Sequence, residues 1–143
     1  MGVLYGMVNE GNPDDFRFDV LTGVSAGAIN AGGLAGWPIG KEVEMAQWMS
    51  DMWKNLKTSD VWQEWNLGYM SGILLMGGAV DNSPMFNFLK HTIAQFKEGF
   101  QRRMTISAVN VNDGTYVEFD QNNIHFSEVA WAAKASASIP FVF

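Results

Sequence analysis

Apolar and polar positions along the chain change their spacing from segment to segment, and the changes predict elements. Residues 42–56 set Met45, Trp48, Met49, Met52, Trp53 and Leu56 three and four apart, the stripe of one helix face. Residues 2–8 are apolar from the outset, with no cap, and read as the last turns of a helix. Asn9 to Asp15 carries turn residues and predicts a loop. Residues 16–22 predict a short strand, and residues 26–34 a helix of small side chains that stops near Gly36-Trp37-Pro38. Thr58-Ser59-Asp60 predicts a helix break, and residues 61–80 follow no regular period. Asn82-Ser83-Pro84 has the form of an N-cap with proline in the first turn, opening a helix through Phe86, Leu89, Ile93 and Phe96 to Gly99. Residues 104–111 and 115–119 predict two strands joined by the turn Asn112-Asp113-Gly114, and Ser127 caps a last helix over 128–135. The order β-α-α-α-β-β-α predicts an α/β fold, a mixed sheet covered by helices.

Both ends are apolar to the last residue, Ile139-Pro140-Phe141-Val142-Phe143 included, whereas termini are normally exposed and polar. The expectation is one domain over residues 1–143, incomplete at both ends.

Composition narrows the function. With 48% hydrophobic residues the chain has ample material for a core, which excludes a disordered class. Fifteen acids against nine bases give a net charge of −6, which repels a phosphate backbone and argues against nucleic acid as a partner. The bases are scattered and form no membrane-tethering patch; Arg102-Arg103 is only a pair. With no cysteine there is no disulfide, no thiolate nucleophile and no cysteine-held zinc, and the compartment stays open. Gly77-Gly78 lacks the Lys-Ser/Thr of a phosphate loop, and Asp14, Asp15 and Asp19 read as solvated loop and strand positions rather than a cation site.

The chemistry centres on Gly23-Val24-Ser25-Ala26-Gly27, which fits G-x-S-x-G between a predicted strand and a predicted helix. A serine on such a turn is lifted clear of the sheet, and the flanking glycines permit the strained backbone. The following helix aims its free amides at the reaction centre. A glycine-rich turn in which Ser25 merely caps the helix has the same five residues. A serine nucleophile needs a base. His91 sits among apolar residues of a predicted helix, while His125 follows Asp113 and Asp120 in the Ser…Asp…His order of an α/β-hydrolase triad. Those acids lie in one hairpin and its exit, close in sequence to the histidine.

A longer match resolves more. Phe18-Asp19-Val20-Leu21-Thr22-Gly23-Val24-Ser25-Ala26-Gly27-Ala28-Ile29-Asn30-Ala31 resembles the nucleophile elbow of patatin-like phospholipases. In family order follow Asp81-Asn82-Ser83-Pro84-Met85, like a D-x-x-P-L segment, then Thr105 to Asn110 with Gly114 and Val117-Glu118-Phe119, like its strand-turn-strand. Ala135-Ser136-Ala137-Ser138-Ile139-Pro140 is similar to the stretch preceding the family's second catalytic residue. The resemblance implies a three-layer α/β sandwich and a Ser–Asp dyad in which Ser25 is the nucleophile and Gly23, Val24, Ala26 and Gly27 form its elbow. It implies no metal and no organic cofactor, and a phospholipid or neutral-lipid substrate met at a peripheral membrane surface. The base belongs to an Asp-Gly-Gly or Asp-Gly-Ala motif; Asp113-Gly114, followed by Thr115, reads as a hairpin turn. That motif and the family's glycine-rich oxyanion loop both fall outside residues 1–143, so the chain by itself is expected to be inactive. A non-catalytic lipid- or partner-binding module is the alternative. The Trp- and Met-rich residues 48–76 are expected either in the core or lining an acyl channel.

Overall fold

The computed structural model describes residues 2–66, 68–140 and 142–143. Met1, Leu67 and Phe141, which belong to the apolar and aperiodic runs noted above, lie outside the described residues.

The chain opens with helix α1 (Gly2–Glu10) and a single 3-10 turn (Pro13–Phe16). The strand expected over 16–22 starts late, at Val20, and the turn takes its first residue, Phe16. Pro13 fixes the turn's first φ, and Asn12 accepts the Asp14 amide in its side chain, so extended backbone begins only afterwards. Strand β1 is Val20–Gly23, followed by α2 (Ala26–Leu34) and α3 (Glu42–Asn55). Helix α3 breaks ahead of Thr58 as expected, and the breaking residues then form a one-turn helix of their own, α4 (Thr58–Val61), capped where the Asp60 carboxylate accepts the Lys57 amide at 2.9 Å. The aperiodic stretch holds α5 (Tyr69–Ser71), which runs into a π-helical turn (Gly72–Met76).

Helix α6 (Ser83–Ala94) starts where expected but is capped differently. Asp81 Oδ1 accepts both the amide and the hydroxyl of Ser83, while the Asn82 amide turns away to donate to Ser138 Oγ at 2.8 Å. It ends at Ala94, short of Gly99. Strands β2 (Arg103–Val109) and β3 (Tyr116–Asp120) form the hairpin, and α7 (Val129–Ala137) closes the order after a 3-10 turn (Phe126–Glu128). The hairpin turn behaves as read. Asp113 Oδ1 accepts the Thr115 amide and hydroxyl, and Gly114 takes φ +73°.

The sheet is mixed, in the order β1-β2-β3, with β1 parallel and β3 antiparallel to the central β2. Alternation along β2 sends Met104 and Ile106 into a core built with Ala28 and Ala31 of α2, Leu89 and Ile93 of α6, and Ala132 and Ala133 of α7. The small side chains of α2 let it sit close to the strands. Gly32 lies against the Val129 side chain, and a Cβ there would come within 2.8 Å of it. A second cluster joins Leu34 to Met45 and Met49, the stripe predicted for α3.

A buried ion pair ties the start of β2 to these helices. Arg102 donates to Glu42 Oε1 at 2.9 Å, with the two side chains 0% and 2% exposed. Its other donors reach the carbonyls of Trp37, Pro38 and Phe18, and its guanidinium lies 4.5 Å from the Phe18 ring. A buried charge requires such saturation of its donors. One arginine thereby fixes the strand entering the serine turn, the loop after α2 and the first turn of α3.

Candidate functional site

Ser25 occupies the two-residue turn between β1 and α2 with φ +57° and ψ −124°, and among the described non-glycine residues it alone has positive φ. Left-handed backbone at a serine costs on the order of 1–3 kcal/mol unless neighbouring structure imposes it. Here the neighbours do so. Gly23 packs so tightly beneath the turn that a Cβ would lie 2.1 Å from the Gly27 carbonyl oxygen. Gly27, by contrast, has open space where its side chain would be. The two glycines of the motif therefore differ: Gly23 is demanded by close approach and Gly27 is not.

The backbone of Ser25 is held from both sides. Its amide donates to Ser136 Oγ at 2.8 Å, and the Ser136 hydroxyl donates to the Ser107 carbonyl at 2.6 Å. Its carbonyl accepts the amides of Ala28 and Ile29 at 2.9 and 3.3 Å. Ser136, near the end of α7, therefore bridges the serine turn to β2 across the sheet. Ser136 gives no sign of this contact in its spacing from Ser25. Its place beside Ala135 and Ala137 in a family-like stretch was the signal available. The amide of Ala26 belongs to the first turn of α2 and must find its partner outside the helix, as first-turn amides do.

Ser25 is exposed and stands at the rim of a cavity of about 190 Å³. The cavity is lined mainly by apolar side chains, among them Ile29, Met52, Trp53, Leu56, Phe88 and Leu89. The Trp53 indole donates to Asn30 Oδ1 at 2.7 Å, which fixes the ring as a wall. Of the tryptophans and methionines in residues 48–76, Met52 and Trp53 line this cavity while Met49 is buried core. Asp60 is an acid on the same wall, its Oδ2 engaged by the Lys57 amide. On the other side of the turn a wider depression of about 1010 Å³ runs past Val24, Asn110, Gly114 and Tyr116. Phe143 borders both spaces.

The candidate triad partners do not gather here. His125 begins the 3-10 turn ahead of α7, its amide bound to Glu128 Oε2 at 2.8 Å. Ser25 meets the opposite end of that helix, and nine helical residues span roughly 13 Å. Asp120 caps the turn after β3 through the Asn122 amide. Asp113 lies at the same end of the sheet as Ser25, but its hydrogen bond from the Thr115 hydroxyl, with that of the Thr115 amide, holds its carboxyl below the usual range. That makes it a weaker base as well as an occupied one. His91 is an exposed residue of α6 whose Nδ1 bonds the Asn87 carbonyl. Among the described residues no group of three or more His, Asp or Glu side chains is placed to hold a metal.

Comparison with known proteins gives one match. No curated protein and no solved structure matches the chain. The sequence model of the family described as Patatin-like phospholipase matches residues 1–143. With that match spanning the chain, this protein belongs to the patatin-like phospholipase family.

Proposed function

We propose that the chain carries the nucleophile half of a serine acyl hydrolase that cleaves fatty-acyl esters of phospholipids or neutral lipids. The observation that carries this reading is Ser25 itself, held with φ +57° at the mouth of an apolar cavity. A strained strand-to-helix turn exposes a serine hydroxyl for attack, and the apolar walls suit an acyl chain. Ser25 Oγ attacks the ester carbonyl, the alcohol leaves with a proton, and water releases the fatty acid from the acyl-enzyme. The oxyanion that forms faces the N-terminus of α2, where the Ala26 amide and the helix dipole favour negative charge.

The base is an aspartate of an Asp-Gly-Gly or Asp-Gly-Ala motif, which residues 1–143 do not contain. Residues 1–143 act as one part of that catalytic domain. No metal or organic cofactor enters the reaction.

The test uses a fluorophosphonate probe and a short acyl ester. A chain extended to include such a motif is expected to label at Ser25 and to lose the label in Ser25→Ala, with His125→Ala indifferent. The 143 residues alone are expected to leave the ester intact. Hydrolysis by those 143 residues that vanishes in Ser25→Ala overturns the dyad reading, and loss of labelling in His125→Ala replaces it with a triad.

A further inference from the structure

The segment from Tyr69 through the π-helical turn Gly72–Met76 exposes a run of large apolar side chains. Met70, Ile73, Leu74 and Leu75 are 69%, 54%, 73% and 72% exposed. An isolated surface leucine needs no explanation, but a contiguous apolar patch does. No Asp, Glu, Lys or Arg occurs between Glu64 and Asp81.

This turn is anchored to the rim of the Ser25 cavity. The Trp65 indole donates to the Gly78 carbonyl at 3.0 Å, and the Val80 amide donates to the Val142 carbonyl at 2.9 Å. Gly78 lies so close to Phe143 that a Cβ there would be 2.4 Å from its carbonyl carbon. Phe143 in turn borders the cavity that Ser25 opens into. Gly68 and Gly77, with φ +79° and +82°, bracket the turn and allow the backbone to swing its aliphatic side chains outward.

We infer that the Tyr69–Met76 segment is the element by which this protein seats on an electrically neutral lipid surface, delivering acyl chains to the adjacent cavity. The inference rests on the lipid-hydrolase reading above for the use of the seat, though not for its existence. Three features favour a bilayer over a protein partner. The patch is aliphatic and carries no charged group to set the register of a protein interface. Tyr69, at its base, is tied by its hydroxyl to Glu64 Oε1 at 2.8 Å, the amphipathic placement aromatic rings take at the depth of lipid headgroups. The patch is also continuous with the rim of an apolar cavity. A net charge of −6 opposes electrostatic recruitment to anionic lipid, so burial of these side chains supplies the attraction. Among the described residues no helix is long and apolar enough to cross a membrane.

The experiment sediments the chain extended to include the Asp-Gly-Gly or Asp-Gly-Ala motif and carrying Ser25→Ala with phosphatidylcholine vesicles, which separates binding from hydrolysis. Binding is expected to be insensitive to salt and no stronger on anionic vesicles. Leu74→Ser with Leu75→Ser is expected to weaken partitioning by about tenfold or more, since two aliphatic side chains leave the bilayer. Because those side chains already face solvent, the variant should keep the parent's Tm. The absence of cysteine from residues 1–143 permits a second readout that needs no stability assumption. A polarity-sensitive fluorophore on Leu74→Cys should shift to the blue when vesicles are added, and one on Glu98→Cys should not. The inference is overturned by a chain that stays in the supernatant, by a double variant that binds as well as its parent, or by binding confined to anionic vesicles. It is also overturned if the chain is a dimer that Leu74→Ser dissociates, because a second copy is then the occupant. Failure of Ser25 to label while vesicle binding persists would sink the enzyme reading and leave the lipid seat standing.

Discussion

The serine turn and the Tyr69–Met76 turn use glycine for opposite ends. At the serine turn, Gly23 is there because backbone passes 2.1 Å from where a side chain would begin, so packing alone dictates both the glycine and the strained Ser25 beside it. At the apolar turn, Gly68 and Gly77 have open space around them and serve through their positive φ, and Gly72 at its base is dictated by close approach, a Cβ there meeting the Trp65 indole and the Gly78 carbonyl. The first arrangement points its backbone inward and permits one conformation. The second points Ile73, Leu74 and Leu75 outward, and what fixes it lies at its base, in Gly72 packed against Trp65 and in the anchors at Gly78 and Val80. Rigidity belongs where atoms must be aimed. A surface that receives a fluid substrate has no such need.

The sharpest way to break this contrast is Gly23→Ala. The added methyl meets backbone rather than a movable side chain, so β1 and α2 must separate. A loss of about 4 kcal/mol or more is expected, read as a chain that unfolds at or near room temperature. Gly27→Ala, in the same motif, enters open space inside a helix and is expected to be neutral or to stabilise by up to about 1 kcal/mol. Equal effects at the two positions would show that the packing difference between them is not what holds the turn.

Ser136→Ala tests the hold on Ser25 from the other side. It removes the acceptor of the Ser25 amide and leaves that amide without its partner, for an expected loss of about 1–3 kcal/mol. In a chain that labels with fluorophosphonate, the labelling rate should fall further than the Tm change accounts for. Ser136→Thr keeps the hydroxyl and should restore most of the rate. Labelling that is unchanged in Ser136→Ala would reduce Ser136 to a packing residue.

How far these features were legible in the sequence depends on what determines each. The serine turn could be placed because strand, glycine, serine and small-residue helix are adjacent in the chain, and the hairpin because Asp113-Gly114 is a local turn. Long-range contacts were not legible. Ser136 reaches Ser25 across 111 positions, and Arg102 reaches Glu42 across 60. Neither spacing leaves a period or a motif. The capping of α6 misled for a related reason. Asn82 is a good cap by type, but Ser138 takes its side chain, which leaves the capping to Asp81. The π-helical turn at Gly72–Met76 had no helical stripe to be read, because the successive side chains of Ile73, Leu74 and Leu75 are all exposed.

A smaller effect sharpens the other half of the comparison. Gly77→Ala places a methyl in open space but on left-handed backbone, at a cost of about 1–2 kcal/mol. The global Tm should fall by only a few degrees. Local hydrogen exchange over Gly72–Gly78 should rise while that over β1 and α2 stays unchanged. Protection lost in both regions would show that the two turns are mechanically one.

The smallest effect is a pH dependence at the start of α6, the helix whose Met85, Phe88 and Leu89 form a wall of the serine cavity. Burial pushes the Asp81 carboxyl up, but the bonds from the Ser83 hydroxyl, the Gln63 amide and the Ser83 backbone, with Lys134 nearby, outweigh it and leave the group below its usual range. A carboxyl depressed in the folded state binds protons less readily there than in the unfolded chain. Its stabilisation is therefore complete above the unfolded value near 4 and is lost as pH falls through the lower, folded one. Asp81→Asn keeps an acceptor for Ser83 and removes the charge, for a cost at neutral pH of about 0.5–1 kcal/mol. The gap in Tm between the parent and Asp81→Asn should be flat above about pH 5 and close as the medium is made more acid. Asp113 is depressed too and loses its contribution in the same window, so the difference between the two chains is the quantity to follow rather than the parent's acid melting. A gap that widens on acidification would mean that burial wins at Asp81, and the cavity wall would then be stabilised by a protonated cap.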